Sequence, residues 1–169
     1  MKLILLFASI ISVTFMSCHG LKTNLGATSK DSSMQFDKTS SFYPFIGAWN
    51  GSGTITQNST QNSLSYCEKV KLTIAATSDH ELRLNDSFVC GHGSSKFSTG
   101  EQNFRIENDN VFFGADLVGT ASMGRISIKM NKGQTAMDWE LNLSSGRLTY
   151  FYQIQDQSGI TSVNSELSQ

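Results

Sequence analysis

The sequence has little charge, almost no proline and no surplus of basic residues. Only 16% of its 169 residues are charged, and Lys+Arg 13 against Asp+Glu 14 leave a net charge of -1. Nucleic-acid binding needs clustered cations, so this balance argues against a nucleic acid as partner. The sequence contains 14 glycines but only one proline, which indicates tight turns rather than rigid linkers. Aromatic residues at 10% argue against a wholly disordered chain.

Long apolar runs are also missing, except for one at the start of the chain. Lys2 supplies a positive charge, and the run Leu3–Met16 follows it. This run is shorter than the ~20 residues of a membrane-spanning helix and is typical of a secretory signal peptide. We therefore predict that residues 1–17 are a signal peptide. A buried N-terminal helix is the alternative.

The residues that end this run, Phe15-Met16-Ser17-Cys18, resemble the lipobox of bacterial lipoproteins. The resemblance implies cleavage before Cys18 and attachment of acyl chains such as palmitate at that cysteine, which would anchor the protein to a membrane. Phe15 stands where the family usually has Leu, so ordinary signal cleavage near Ser17 is the alternative. His19, rather than Asp, follows the cysteine, and this favours the outer membrane. The expected location is the cell envelope of a bacterium.

The remainder of the chain divides into a polar segment and a patterned one. Residues 18–41 are rich in Ser, Thr, Lys, Asp and Gly without a period, which predicts a lipidated N-terminus and a flexible tether. The alternative is a loop that packs on the domain through Phe36. Residues 42–169 are predicted to form one folded domain, and we expect a monomer.

Alternation of apolar and polar residues with period two runs through residues 42–169. Lys69, Lys71 and Thr73 alternate with Val70 and Leu72, for example, which predicts a half-buried antiparallel strand. Eight or nine such segments are joined by short turns, and none of them favours a helix. Short sequential turns imply an up-and-down meander. Closure into a barrel would remove its two exposed edges, so we predict an all-β closed barrel, with a two-sheet sandwich as the alternative.

Two cysteines remain once Cys18 is assigned to lipidation. An exported chain meets an oxidising compartment, and the midpoint of Cys67 and Cys90 falls in the predicted turn 78–80, so we predict a disulfide across one hairpin. The hydrophobic register of this hairpin differs from the cysteine pairing by one position. We therefore predict a bulge at Asn85-Asp86, which would keep Asp86 out of an inward position and turn both cysteines outward. Two free thiols are the alternative.

The start of the patterned region, Gly47-Ala48-Trp49, resembles the Gly-x-Trp motif of lipocalins and related calycin barrels. The resemblance implies a lipocalin-like barrel whose floor is sealed by Trp49, with Arg147 stacked on the indole by a cation–π contact. The segment Trp49–Gly53 is also similar to the Trp-x-Gly-x-Gly start of nitrobindin-like barrels, which bind haem through a late histidine. No histidine follows His92 here, so no cofactor is expected.

Candidate ligand-binding residues are acidic or large side chains on the predicted inward faces. A buried carboxyl group must be paired, hydrated or near the mouth of the barrel. We predict a binding site formed by Glu68, Phe113, Asp116, Met130, Trp139, Tyr150 and Tyr152. His92 lacks other ligands at a metal-binding spacing, so no metal site is predicted.

No catalytic motif is recognisable, so the protein is not expected to be an enzyme. We predict an envelope lipoprotein that binds a small, mostly apolar molecule inside its barrel. One alternative is a fully packed barrel whose outer surface binds a protein or an envelope polymer. Another is an enzyme that uses Glu68 or Asp116 as an acid.

Overall fold

The computed structural model describes residues 40–58 and 62–169. The predicted signal peptide, Cys18 and the tether up to residue 39 lie outside this part of the chain, so these predictions are not tested by the structure. A short 3-10 helix at Tyr43–Phe45 is followed by eleven strands in the described ranges: β1 Gly47–Asn58, β2 Ser63–Ser78, β3 Glu81–Cys90, β4 Ser95–Phe97, β5 Glu101–Glu107, β6 Asn110–Phe113, β7 Asp116–Ser122, β8 Arg125–Lys132, β9 Thr135–Ser144, β10 Arg147–Asp156 and β11 Gly159–Ser168.

Ten of these strands close into one antiparallel barrel. Neighbouring strands follow the chain order, β1 pairs with both β2 and β11, and β4 lies outside the closed ring, paired with the end of β3. The predicted all-β, up-and-down closed barrel is confirmed. The strand count is higher than predicted because Gly114 forms a tight turn that separates β6 from β7, and because Ser98–Gly100 separate β4 from β5.

One end of the barrel, which we call the floor, is closed by aromatic side chains. Phe42, Phe45 and Trp49 are all buried there. The Trp49 indole N–H donates a hydrogen bond of 2.7 Å to the Phe45 carbonyl oxygen, which fixes the 3-10 helix under the first strand. Trp49 therefore seals the floor, as its motif implies.

Arg147 does not stack on Trp49, in contrast to the sequence-based expectation. It begins β10 on the outer face, next to the inward Leu148, and its side chain is 78% exposed. The guanidinium group instead lies 3.9 Å from Glu166 Oε2 on the neighbouring strand. The strand register explains the difference, because an outward position at the barrel end cannot reach an inward indole.

Cys67 and Cys90 face each other across β2 and β3 and form a disulfide. The predicted bulge site is wrong: β2 carries the extra residues, Glu68 beside the cysteines and Thr77 beside the turn, and Asp86 occupies a regular inward position opposite Leu72. Both cysteines are buried inside the barrel, although the predicted bulge would turn them outward. The same shift places Leu64 and Tyr66 on the outside, where both are exposed.

Three glycines allow neighbouring strands to approach closely. A Cβ atom on Gly51, Gly53 or Gly119 would collide with a backbone carbonyl oxygen of the adjacent strand, for example that of Asn164 at Gly53. Strands that bend into a closed barrel need such positions, and glycine supplies them without a side chain.

The space above the floor is filled largely by side chains. Trp139, Tyr150, Phe88 and Phe104 are the largest aromatic residues of this interior layer, and each is buried. Inward alternation of the strands therefore produces a packed core rather than an empty tube. In the described ranges, no helix combines the length and the apolar character needed to cross a bilayer.

Candidate functional site

A buried polar centre lies inside the barrel at Asp86. This residue is 4% exposed, and its carboxyl oxygens accept hydrogen bonds of 2.7 Å from the Thr99 backbone N–H, the Thr99 hydroxyl and the Tyr150 hydroxyl. The Ser98 hydroxyl donates to the Asp86 backbone oxygen. No Lys, Arg or His of the described residues forms an ion pair with this carboxyl group, so neutral donors satisfy it. The centre joins β3 to β10 and holds the bend that separates β4 from β5.

The polar centre changes the acidity of two tyrosines. Burial, followed by the charge and the hydrogen bond of Asp86, raises the pKa of Tyr150 well above its ordinary value. Burial and the Asp86 charge also raise the pKa of Tyr152, to about 12. Both hydroxyl groups therefore stay neutral far above physiological pH.

These shifts predict a loss of stability at high pH. The unfolded chain releases tyrosine protons near pH 10, whereas Tyr152 in the folded state holds its proton up to about pH 12. Unfolding therefore releases a proton between these values, and the free energy of unfolding should fall as the pH rises from about 10 to 12. Urea denaturation of Tyr152→Phe across this range should show a shallower decline than the wild-type protein does. Equal slopes would contradict the assignment.

A pocket of about 520 Å³ lies towards the open end of the barrel, opposite the floor. Its apolar lining includes Phe113, Val118, Met130 and Met137, and polar groups stand around it. The complete lining is Gln102, Phe113, Asp116, Leu117, Val118, Lys129, Met130, Asn131, Lys132 and Met137. The volume falls in the range of small-molecule sites, and the lining is divided evenly between apolar residues and polar or charged ones.

The pocket lies where the barrel wall is incomplete. The ladder between β7 and β8 begins where Ser122 pairs with Arg125 and ends where Gly119 pairs with Ile128. Residues 116–118 and 129–132 continue as strands without pairing to each other, although β7 still pairs with β6 and β8 with β9. We call this break the slot.

Aromatic rings connect the pocket with the polar centre. The Phe113 ring lies 6.0 Å from Phe104, Phe104 lies 6.2 Å from Trp139, and Trp139 lies 5.2 Å from Tyr152, measured between ring centroids. Tyr150, next to Tyr152 on the inner face of β10, donates to Asp86. A ligand in the pocket would therefore rest on a rigid aromatic layer.

The structure brings together only part of the predicted binding set. Phe113, Asp116 and Met130 line the pocket. The rings of Trp139, Tyr150 and Tyr152 belong to the buried layer beneath it. Glu68 lies apart, at the β2 bulge, where its carboxyl oxygens are buried without a hydrogen bond and Oε1 is 3.8 Å from His92 Nδ1.

Sequence reasoning missed Asp86, Thr99 and Met137. Asp86 and Leu84 share the parity of one strand face, so a regular β3 would place Asp86 inward. The predicted bulge hid this signal. Met137 pairs directly with Met130 across β8 and β9, and this pairing follows from the hairpin turn at Gly133. Thr99 carries no signal in the sequence, because the bend that places it depends on tertiary contacts.

Comparisons with known proteins identify similar structures but no family. No protein-family model matches the chain, and no curated protein matches it. A protein of unknown function from the DUF3598 family of Nostoc punctiforme PCC 73102 aligns over 75% of this chain and 47% of its own, with a TM-score of 0.52 and 14% identity. The S-type phycobiliprotein lyase CPES from Guillardia theta aligns over 76% and 89%, with a TM-score of 0.50 and 10% identity. The siderocalin Ex-FABP aligns over 74% and 73%, with a TM-score of 0.40 and 12% identity.

At these identities a likeness shows the fold alone, here a closed antiparallel β-barrel. The chain spans about half the length of the DUF3598 protein, 47% of it. A shared barrel does not transfer a function, so function must be argued from the pocket of this chain.

Proposed function

We propose that this protein binds one small, mostly apolar molecule in the pocket beside the slot. The observation that carries the proposal is the pocket itself, about 520 Å³ with an apolar wall of Phe113, Val118, Met130 and Met137. Phe113 is a large apolar residue that stays 38% exposed at the pocket. Exposed apolar surface in a concavity favours an apolar ligand, because binding removes that surface from water.

The proposal places the ligand above the aromatic layer rather than deep in the barrel. Trp139 and Tyr150 fill the interior, so a ligand that reached Asp86 would have to displace buried rings at a cost of several kcal/mol. We propose no chemical reaction of the bound ligand. One similar structure is a lyase by name, but its activity cannot be carried over on the fold.

Binding of the uncharged fluorescent dye 1-N-phenylnaphthylamine tests the proposal. The wild-type protein should bind the dye with a blue shift and increased emission. Met137→Trp should weaken binding about tenfold, which corresponds to about 1.4 kcal/mol, because the larger side chain occupies the pocket. Titration by fluorescence measures both dissociation constants.

Met123→Trp is the matched control for this substitution. Met123 is a highly exposed methionine in the turn between β7 and β8, at the floor end of the barrel. The Met123→Trp substitution should therefore leave the dye affinity unchanged. Equal affinities of wild type and Met137→Trp, with both proteins folded, would show that the pocket is not the binding site.

We also propose that the domain is exported and anchored by lipid at Cys18, in the envelope of a bacterium. Support comes from the apolar run and Phe15-Met16-Ser17-Cys18, and from the disulfide of Cys67 and Cys90, which suits an oxidising compartment. Mass spectrometry of protein from its source should find a chain that begins at Cys18 and carries acyl chains. A Cys18→Ser variant should lack them. An unmodified mature terminus at another residue would refute the anchor.

The alternative function is binding of a protein partner by the outer wall of the barrel, and the packed interior supports it. Leu64 and Tyr66 are exposed side by side on the outer wall of β2, 71% and 56% respectively. An outer apolar patch of this kind suits a protein partner. Under this alternative, Leu64→Ser should abolish the interaction while dye binding at the pocket stays unchanged.

A further inference from the structure

The slot between β7 and β8 is a break in the barrel wall that lies directly beside the pocket. Extending the register past Gly119 and Ile128 would set Val118 opposite Lys129, but no ladder forms there. The two strand segments can therefore separate without breaking a backbone hydrogen bond between them. Elements that lack such bonds open at low free-energy cost.

The hairpin β6–β7 has few backbone pairings to the strands on either side of it. β6 has only four residues and pairs with β5 through Arg105–Glu107 alone, so residues 101–104 of β5 are also unpaired on this side. The turn at Gly114 has open space around it. The backbone of the hairpin β6–β7 is consequently paired to its neighbouring strands only near the floor, and its tip is held by side-chain packing such as that of Phe113 on Phe104.

The two lips of the slot carry opposite charges. Asp116 lies on the β7 lip, whereas Lys129 and Lys132 lie on the β8 lip, and all three line the pocket. Lys129 Nζ is 3.9 Å from Asp138 Oδ2, while no ion pair joins Asp116 to either lysine. Opposite charges attract weakly across water, so they favour the narrow slot without locking it.

We infer that the slot is the port through which the ligand reaches the pocket, and that the hairpin β6–β7 is its movable lip. The inference rests on the proposed function. An apolar ligand would pass sideways between Leu117 and Lys129 onto Phe113 and Met130. The path is short, because the same residues line both the slot and the pocket.

A cross-link across the slot tests the port. Leu117→Cys/Lys129→Cys is prepared in the full chain with Cys18→Ser, so that the native disulfide contains the only other cysteines. A short bismaleimide then joins the two lips, and stopped-flow fluorescence follows binding of 1-N-phenylnaphthylamine. Compared with the same variant before cross-linking, we expect dye association and dissociation to slow at least tenfold, while the dissociation constant stays similar. The reason is that the cross-link raises the barrier to passage and leaves the bound state unchanged.

Thr120→Cys/Ser127→Cys provides the matched control, because these residues are already paired in the β7–β8 ladder. Its cross-link should change neither rate more than twofold. Unchanged rates in the slot cross-link would overturn the port while the pocket stands. Failure of the dye to bind before cross-linking would overturn the proposed function and the port together.

Asp116→Lys tests the port without a cross-link. Three positive charges around the slot should repel one another and hold it wider, so both rates should rise severalfold at low salt and approach those of wild type at high salt. Rates that match wild type at every salt concentration would contradict the role of the lips.

Discussion

Replacement of Asp86 with alanine should lower the free energy of unfolding by about 3 kcal/mol. The substitution removes the acceptor of three hydrogen bonds, from the Thr99 backbone N–H, the Thr99 hydroxyl and the Tyr150 hydroxyl. Each buried donor left without a partner costs about 1–3 kcal/mol. Relief from burying the carboxyl group offsets part of this cost. Urea denaturation followed by circular dichroism measures the net effect.

Asp138→Ala is the control for the Asp86 substitution. Asp138 is a partly exposed residue whose carboxyl group faces Lys129 at 3.9 Å, an ion pair that is worth little in water. Its loss should change the free energy of unfolding by less than about 1 kcal/mol. If Asp86→Ala were as mild as this control, the polar centre would not brace β3 against β10.

Gly53→Ala should lower the free energy of unfolding by about 2–4 kcal/mol, a loss similar to that of Asp86→Ala. The added Cβ would meet the Asn164 carbonyl oxygen and the Ser165 hydroxyl, and a backbone atom cannot rotate away from it. Strands β1 and β11 would have to separate locally, which weakens their ladder at the closure of the barrel. Thermal and urea unfolding should both show the loss.

Gly124→Ala provides the comparison for this close approach. Its added Cβ would lie 3.5 Å from the Leu143 carbonyl oxygen, an ordinary contact distance. Stability should therefore stay within about 0.5 kcal/mol of wild type. Similar losses at both glycines would mean that close strand approach is not what Gly53 provides.

Period-two alternation and short turns were sufficient to predict the barrel. Residues such as Val70, Leu72 and Ile74 alternate strictly, and closure follows from the need to pair two edges. The register of β2 and β3 was harder, because a one-residue bulge reverses every position beyond it. The bulge lies at Glu68 because β2 pairs with both β1 and β3, and the pattern of a single hairpin does not contain the contacts with β1.

The candidate site was predictable in its residue types but not in its position. Phe113, Asp116 and Met130 meet at the pocket because β6 and β7 form a short hairpin, and the sequence pattern showed one strand there instead. Large inward residues such as Trp139 and Tyr150 suit both a cavity wall and a packed core. Which of the two they form is decided by how ten strands pack against one another, a property of the whole barrel.

Native mass spectrometry of the protein purified from its source tests the central claim most directly. We expect a complex of one chain with one small molecule, which is lost under denaturing conditions to leave the chain alone. The molecule should be mostly apolar, and Met137→Trp should reduce the occupied fraction. A chain that always appears bare, or that co-purifies only with a macromolecule, would contradict a ligand-binding barrel.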